Sequence, residues 1–313
     1  RRVLFRSFNV SRTKRRSNAA PNQALNMHAE STPVAFQAPA LSCDAHFHVF
    51  GLKGAYPYHG QLRYDPPHAP LSDYLALARQ LGLGRHVFVQ PSAYGRDNRY
   101  MLDAMREMPR DITRGIVDLE DQTSEQDLQA MHALGVRGLR INVSPVHPVQ
   151  EGLMESMLPR VQYWAARCAE LNWHLDFLLP GWLTDEMIPT LKKLKVDHSL
   201  AHMGMFLASQ GPQQAGFQRL LDLLRFGDGK TWIKFTGTYR MATAPDFADA
   251  RPMAQAVLAT QADRVIWGSD YPHLSFADKV GSVALFNLLK DWAPDAQTRQ
   301  KILADNPAKL FGF

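Results

Sequence analysis

The sequence predicts a single-domain (β/α)8 barrel, and three observations predict it. Short apolar runs recur eight times along the 313-residue chain. Between most of them lie stretches with apolar residues at the i, i+3, i+4, i+7 spacing of an amphipathic helix. The alternation fills about 270 residues, the usual size of such a barrel. The first run is followed by His-Val-Phe-Gly-Leu-Lys-Gly, not by the Gly-x-Gly-x-x-Gly turn that opens a doubly wound dinucleotide sheet.

In chain order the expected strands are Leu41–His48, His86–Ser92, Ile112–Leu119, Val136–Val143, Trp173–Leu179, Asp197–His202, Trp232–Thr236 and Arg264–Trp267. Runs this apolar suit parallel strands covered by helices. The expected helices are Leu71–Leu81, Asp97–Met108, Ser124–Leu134, Met154–Leu171, Thr184–Leu194, Gln213–Phe226, Phe247–Gln261 and Asp278–Leu289. Leu71, Tyr74, Leu75, Ala78 and Leu81 form one helical stripe. Ser124, with Asp127 three residues on, and Thr184 are expected N-caps. The first strand-to-helix connection, Val49–Pro70, holds Tyr56, Tyr58, His59, Arg63, Tyr64 and four prolines, a composition typical of a site wall or lid.

A barrel of this kind builds its site at the C-terminal ends of the strands. Those ends carry His46 and His48, then Gln90 and Ser92, Asp118, Arg140 and Asn142, His202, Tyr239 and Arg240, and finally Asp270. His46 and His48 alternate on a strand and so share a face. Singly, each residue has a plainer explanation: a core histidine, a turn cap, a surface arginine with a packed stem. Their arrival at one end of the barrel favours function for His46, His48, His202 and Asp270. His174 lies too deep in its strand to join them and reads as a core residue.

Composition narrows the classes. The net charge of +5 and pI of about 9.2 come from residues 1–26, which carry +7 and leave a net −2 on the remainder. The body therefore has no nucleic-acid signature, and a nucleic-acid-binding reading would rest on the tail alone. That tail resembles a transit segment or is a non-native leader ahead of Met27. Residues 27–40 read as irregular, so that 1–40 is expected to be a flexible extension and 41–313 the barrel. Two cysteines, Cys43 and Cys168, suit a reducing, cytoplasmic setting, and no apolar run reaches the ~20 residues of a membrane span.

The motifs Asp44-Ala45-His46-Phe47-His48, His202-Met203-Gly204 and Trp267-Gly268-Ser269-Asp270-Tyr271-Pro272-His273, with the closing Asn306-Pro307-Ala308-Lys309-Leu310-Phe311, resemble the amidohydrolase superfamily, in its amidohydrolase-related branch. Arg63-Tyr64-x-Pro66, Val89-Gln90-Pro91-Ser92, Gly95-x-Asp97-Asn98 and Gly138-Leu139-Arg140-Ile141-Asn142 are similar to the 2-pyrone-4,6-dicarboxylate lactonases within it. That resemblance implies opening of a small carboxylated lactone in aromatic-compound catabolism, without an obligatory metal. It implies Asp270 as base, His46, His48 and His202 as carbonyl contacts, and Tyr64, Ser92, Arg140, Arg240 and His273 as substrate contacts. Where those lactonases have a tyrosine and two further basic residues, this chain has Leu178, Val146 and Met205, which implies a less anionic substrate. Two roles stay open for the histidines: hydrogen bonding to the oxyanion, or holding one zinc ion through His46, His48, His202 and Asp270. A metal-dependent decarboxylase or amide hydrolase on the same scaffold is the alternative activity.

Overall fold

All eight strands form where the apolar runs stand: β1 Cys43–Phe47, β2 Arg85–Val89, β3 Thr113–Val117, β4 Val136–Asn142, β5 His174–Leu178, β6 His198–Leu200, β7 Thr231–Phe235 and β8 Val265–Trp267. The structure is a computed structural model that describes residues 32–60, 62, 64–143 and 148–313. The basic tail, Arg63 and Val146 lie outside the described residues.

The strands pair in parallel and in chain order from β1 to β8. The ring closes through the motif residues themselves. Asp270 N–H donates to His46 O and His48 N–H to Tyr271 O, each at 2.8 Å. The bonds that close the barrel thus also hold the two motifs of the site together.

The helices cover the outside as α1 Leu71–Leu81, α2 Arg99–Arg106, α3 Glu125–Leu134, α4 Leu153–Leu171, α5 Gly181–Leu191, α6 Ala215–Phe226, α7 Arg251–Gln261 and α8 Ser282–Trp292. Each turns an apolar stripe inward; in α1 this is Leu71, Tyr74, Leu77, Ala78 and Leu81, and the Tyr74 ring stacks on Phe47 of β1. Gly82 ends α1 in the left-handed region, which glycine occupies without strain. Ser124 caps α3 as expected, its Oγ accepting from Asp127 N–H at 3.1 Å.

Thr184 does not cap α5. The helix begins three residues earlier, at Gly181 behind Pro180, and Thr184 is buried within it. The expected starts of α7 and α8 also move. Asp246 and Phe247 take left-handed conformations inside a short 3-10 turn, so α7 cannot run through them and begins at Arg251. The segment after His273 likewise makes a 3-10 turn, which delays α8 to Ser282.

Residues 33–36 are irregular yet lie against α8: Asn287 bonds Ala35 N–H and Pro33 O, and Phe36 stacks on Phe286 with ring centroids 4.6 Å apart. After α8, the helical turns Ala296–Gln300, Lys301–Asp305 and Asn306–Phe311 carry the chain under the barrel. There Phe311 joins Cys43, Ala45, Val87, Val89, Ile116, Trp232 and Ile266 in an interior apolar cluster. Its ring meets His174 edge-on at 5.2 Å. His174 is a core residue here, its Nδ1 2.7 Å from Arg137 O.

The register of β1 against β2 slips between Asp44 and Phe47. Such a bulge breaks strict alternation and re-aims side chains. It accounts for Ala45 and His46, adjacent in sequence, both facing the barrel interior. Among the described residues no helix is long and apolar enough to cross a membrane, and Cys43 and Cys168 are free and buried.

Candidate active site

Asp270 is the centre of the site. It follows β8 on a left-handed backbone (φ 57°) and is fully buried. Its Oδ2 accepts from Tyr239 Oη–H at 2.6 Å and from Arg240 Nε–H at 3.0 Å. Among the described residues its Oδ1 has no such partner and instead lies 3.5 Å from His46 Nε2 and 3.6 Å from His48 Nε2. Burial pushes the Asp270 carboxyl up, but the Arg240 guanidinium beside it holds it well below its usual range. Asp270 is therefore ionised, with one oxygen anchored and the other presented to the cavity.

The histidines are neutral. Burial lowers His46 far below 6.5, with Lys234 reinforcing it; burial also lowers His48, and brings His202 to about 3. His48 Nδ1 lies 2.8 Å from Val89 O, an acceptor, so that nitrogen carries the hydrogen and Nε2 keeps its lone pair. His202 enters on a left-handed run, His202 to Met205, and is held by Thr236 Oγ1 at 2.7 Å from its Nδ1. Backbone of this kind in non-glycine residues concentrates at functional sites. Gly237 permits the approach: a Cβ there would lie 2.5 Å from His202 Nδ1 and 2.8 Å from Asp270 Oδ2. Asp44, the first residue of the strand-one motif, fixes the frame by accepting from His46 N–H and Ser269 N–H. Burial pushes its own carboxyl up to about 6.

The remaining expected residues separate into two groups. Arg140 lies two residues before the end of β4 and is buried, its Nη1 donating to Gln90 O at 2.7 Å and its Nε without a partner among the described residues. Tyr64 Oη lies 3.3 Å from Ser92 Oγ, within the fields of both Arg140 and Arg240. These four form a cationic, hydroxyl-bearing rim. His273 is different: its Nε2 is 2.7 Å from Ser282 Oγ and its ring stands edge-on to Tyr239 at 5.6 Å, so it braces the wall behind Asp270. Asp118 is engaged by Arg160 at 3.1 Å and faces that network. Leu178, Ala201 and Met205 make a separate apolar cluster at the ends of β5 and β6.

Lys234 and Asp176 were not expected. Both are fully buried inside the barrel on β7 and β5, 2.6 Å apart, and Ser199 Oγ also donates to Asp176 Oδ1 at 2.6 Å. Burial would raise the Asp176 carboxyl, but Lys234 and then Arg140 bring it down to about 2. Lys234 Nζ also reaches 3.4 Å from His46 Nδ1. In sequence Lys234 sits in the apolar run Thr231–Phe235, where nothing local announces a charge pair with a residue on β5.

By distance, His46, His48 and Asp270 form a triad able to hold a metal ion, with candidate ligand atoms within 4.8 Å of one another. His202 is not in that group. Zinc, with bonds of about 2.0–2.1 Å, would accept such spacing. A metal-bound histidine, however, hands its other N–H to an acceptor. His48 meets that condition through Val89 O; His46 does not, because its Nδ1 faces the Lys234 ammonium, a donor. The set does not fit a metal at His46, and no step below is routed through one.

A parallel eight-stranded barrel with a buried histidine–aspartate cluster at its strand ends is an enzyme framework whose site lies at that end. The chain belongs to the amidohydrolase family, whose match spans residues 43–313. It is 34% identical over 284 residues to a 4-sulfomuconolactone hydrolase of Hydrogenophaga intermedia, covering 90% of this chain and 91% of that one. It is 30% identical over 297 residues to a 2-pyrone-4,6-dicarboxylate hydrolase of Comamonas testosteroni, covering 92% and 95%. Among solved structures it is similar to a putative 2-pyrone-4,6-dicarboxylic acid hydrolase from Pseudomonas putida, with a TM-score of 0.76, 34% identity, and 88% and 98% of the chains covered.

Proposed function

We propose that the protein opens a small carboxylated lactone by water attack, with Asp270 as the base. The observation that carries this reading is the division of the Asp270 carboxylate, one oxygen anchored by Tyr239 and Arg240, the other free beside His46 and His48. Water attacks the ester carbonyl carbon as one of its protons passes to Asp270 Oδ1. The histidines stabilise the charge that builds on the carbonyl oxygen. The tetrahedral adduct collapses with cleavage of the ring C–O bond, and the proton held by Asp270 moves to the departing ring oxygen. The product is an open hydroxy acid, or its keto form where the leaving group is an enol, and its new carboxyl group ionises to solvent.

A carboxylate held as low as Asp270 is a weak base, and Arg240 contributes most to lowering it. A substrate carboxylate that shares Arg240 would relax this grip and strengthen the base when it is needed. Arg140, buried with a free Nε, offers a second anchor. The Leu178–Ala201–Met205 wall suits a less polar part of the ligand. Lactones of this kind arise when aromatic rings are broken down, and both named relatives take their names from such compounds. We therefore place the reaction in aromatic-compound catabolism, with no metal required.

The two arginines should separate kinetically. Arg140→Lys removes a bidentate anchor that is not hydrogen-bonded to the base, so KM should rise with a smaller change in kcat. Arg240→Lys also disturbs Asp270 directly, through the 3.0 Å bond, and should lower kcat as well. A fall in kcat alone for Arg140→Lys would place that residue in the chemistry rather than in binding.

The reading is tested by a panel of mono- and dicarboxylated lactones, sulfonated lactones, a cyclic amide and an aromatic acid, followed by loss of substrate and appearance of carboxylate. Lactone opening is expected, with monocarboxylates at least as good as the pyrone dicarboxylate. A tenfold preference for the dicarboxylate, about 1.4 kcal/mol, would mean that another cation replaces the missing ones. Amide cleavage or release of carbon dioxide with every lactone untouched would overturn the proposal.

A further inference from the structure

The geometry points to Lys234 as the positioning residue that divides labour between two histidines, fixing His46 as a hydrogen-bond donor and leaving His48 as an acceptor. This inference rests on the hydrolytic reading above for its consequence, but not for its geometry. Lys234 Nζ is bound by Asp176 at 2.6 Å and turns toward His46 Nδ1 at 3.4 Å. An ammonium has donors and no lone pair, so the nitrogen it faces must be the unprotonated one. The hydrogen of neutral His46 then sits on Nε2, which has no other hydrogen-bond partner and points at the cavity.

His48 has the opposite arrangement. Its Nδ1 hydrogen is committed to Val89 O, so its Nε2 offers a lone pair 3.6 Å from Asp270 Oδ1, itself a lone-pair donor. Two acceptors held that close repel unless protons lie between them. A water molecule satisfies both, giving one O–H to Asp270 Oδ1 and the other to His48 Nε2. Its oxygen lone pair then faces outward for attack. His46 Nε2–H is left to donate to the carbonyl oxygen as it becomes an oxyanion. Within one His-x-His motif, one imidazole thus serves the electrophile and the other seats the nucleophile. Lys234, from a strand on the far side of the ring closure, decides which does which.

The same proton pattern opposes a metal. Zinc on His46 Nε2 would force the hydrogen onto Nδ1, against the ammonium. Lys234 would therefore have to leave, or lose its proton, before His46 could ligate.

The test uses wild-type protein labelled with 15N at histidine, with His46 and His48 signals assigned by loss in His46→Gln and His48→Gln. Nitrogen shifts distinguish the protonated from the unprotonated ring nitrogen and need no substrate. His46 is expected to carry its hydrogen on Nε2 and His48 on Nδ1. Lys234→Met leaves Asp176 unpaired and is liable to misfold, so it is paired with Asp176→Leu in a double variant. That variant should bind zinc at least about tenfold more tightly than wild type. It should also lose about 10²-fold in kcat, with KM little changed, as expected when an oxyanion donor turns away. A His46 hydrogen on Nδ1 in wild type, or zinc bound there stoichiometrically through His46, would overturn the inference. If the tautomers are as expected and no lactone is opened, the hydrolytic reading fails while the role of Lys234 stands.

Discussion

Asp270→Asn should lower kcat by at least about 10²-fold while leaving the protein folded. Asparagine matches aspartate in shape and tolerates the left-handed backbone found at this position better than other uncharged residues. It can still accept from Tyr239 and Arg240 through its carbonyl oxygen. What it cannot do is take a proton from water. The outcome to watch is kcat in protein whose melting temperature and circular dichroism match wild type. A folded variant that turns over at near wild-type speed would remove Asp270 from the role of base. A rise in KM alone would recast it as a substrate contact.

The second large effect is on stability in acid. Burial lowers His86, His174, His198 and His273 to about 4, and His202 to about 3. All five are nearly inaccessible. The unfolded chain protonates each near 6.5, while the folded chain does not, so the unfolded state binds more protons between about pH 4 and 6.5. Stability therefore rises with pH across that window and falls on acidification. At pH 5.5 each such histidine costs on the order of 1 kcal/mol, together several kcal/mol, a large share of the whole stability of many proteins. Asp44 acts the other way. Its carboxyl is raised to about 6, so the folded state gains protons there as pH falls, which offsets a small part of the histidine cost. Asp176, held at about 2 when folded, is ionised in both states above about pH 5, so its contribution changes only at lower pH.

The melting temperature should thus fall by several degrees between pH 7 and 5.5. Hydrolysis should fail together with the fold, because Asp270 titrates well below its usual range and burial lowers each of the catalytic histidines. A flat melting temperature down to pH 5 would mean that these histidines take up protons in the folded state. An acid limb in kcat/KM at constant melting temperature would point to a titrating group in the site.

The residues legible in the sequence are those whose chemistry and position coincide. His46, His48, His202 and Asp270 stand at strand ends that apolar runs mark clearly, and the structure brings them to one point. Lys234 was hidden because a single lysine inside an apolar strand looks like an edge or a misassigned end, and its partner Asp176 lies two strands away. Gly237 was equally silent, since its need for a missing side chain appears only once His202 and Asp270 close upon it. His273 was legible as a motif member but not in its contacts: its bond to Ser282 depends on how the chain folds back into α8. Thr184 misled because a good capping residue stood just inside a helix that Pro180 had already begun. The slip in β1 also could not be seen. Alternation alone puts His46 and His48 on one face, but it says nothing of the bulge that brings Ala45 to the interior beside them.

The central claim is that Asp270 and the neutral histidines open a lactone by themselves. Its most direct test is kcat/KM for a carboxylated lactone, measured on wild-type protein after dialysis against a chelator, with bound metal determined in the same sample. Undiminished ring opening with substoichiometric metal is the expected result. Activity that disappears on chelation and returns in step with one zinc ion per chain would contradict it.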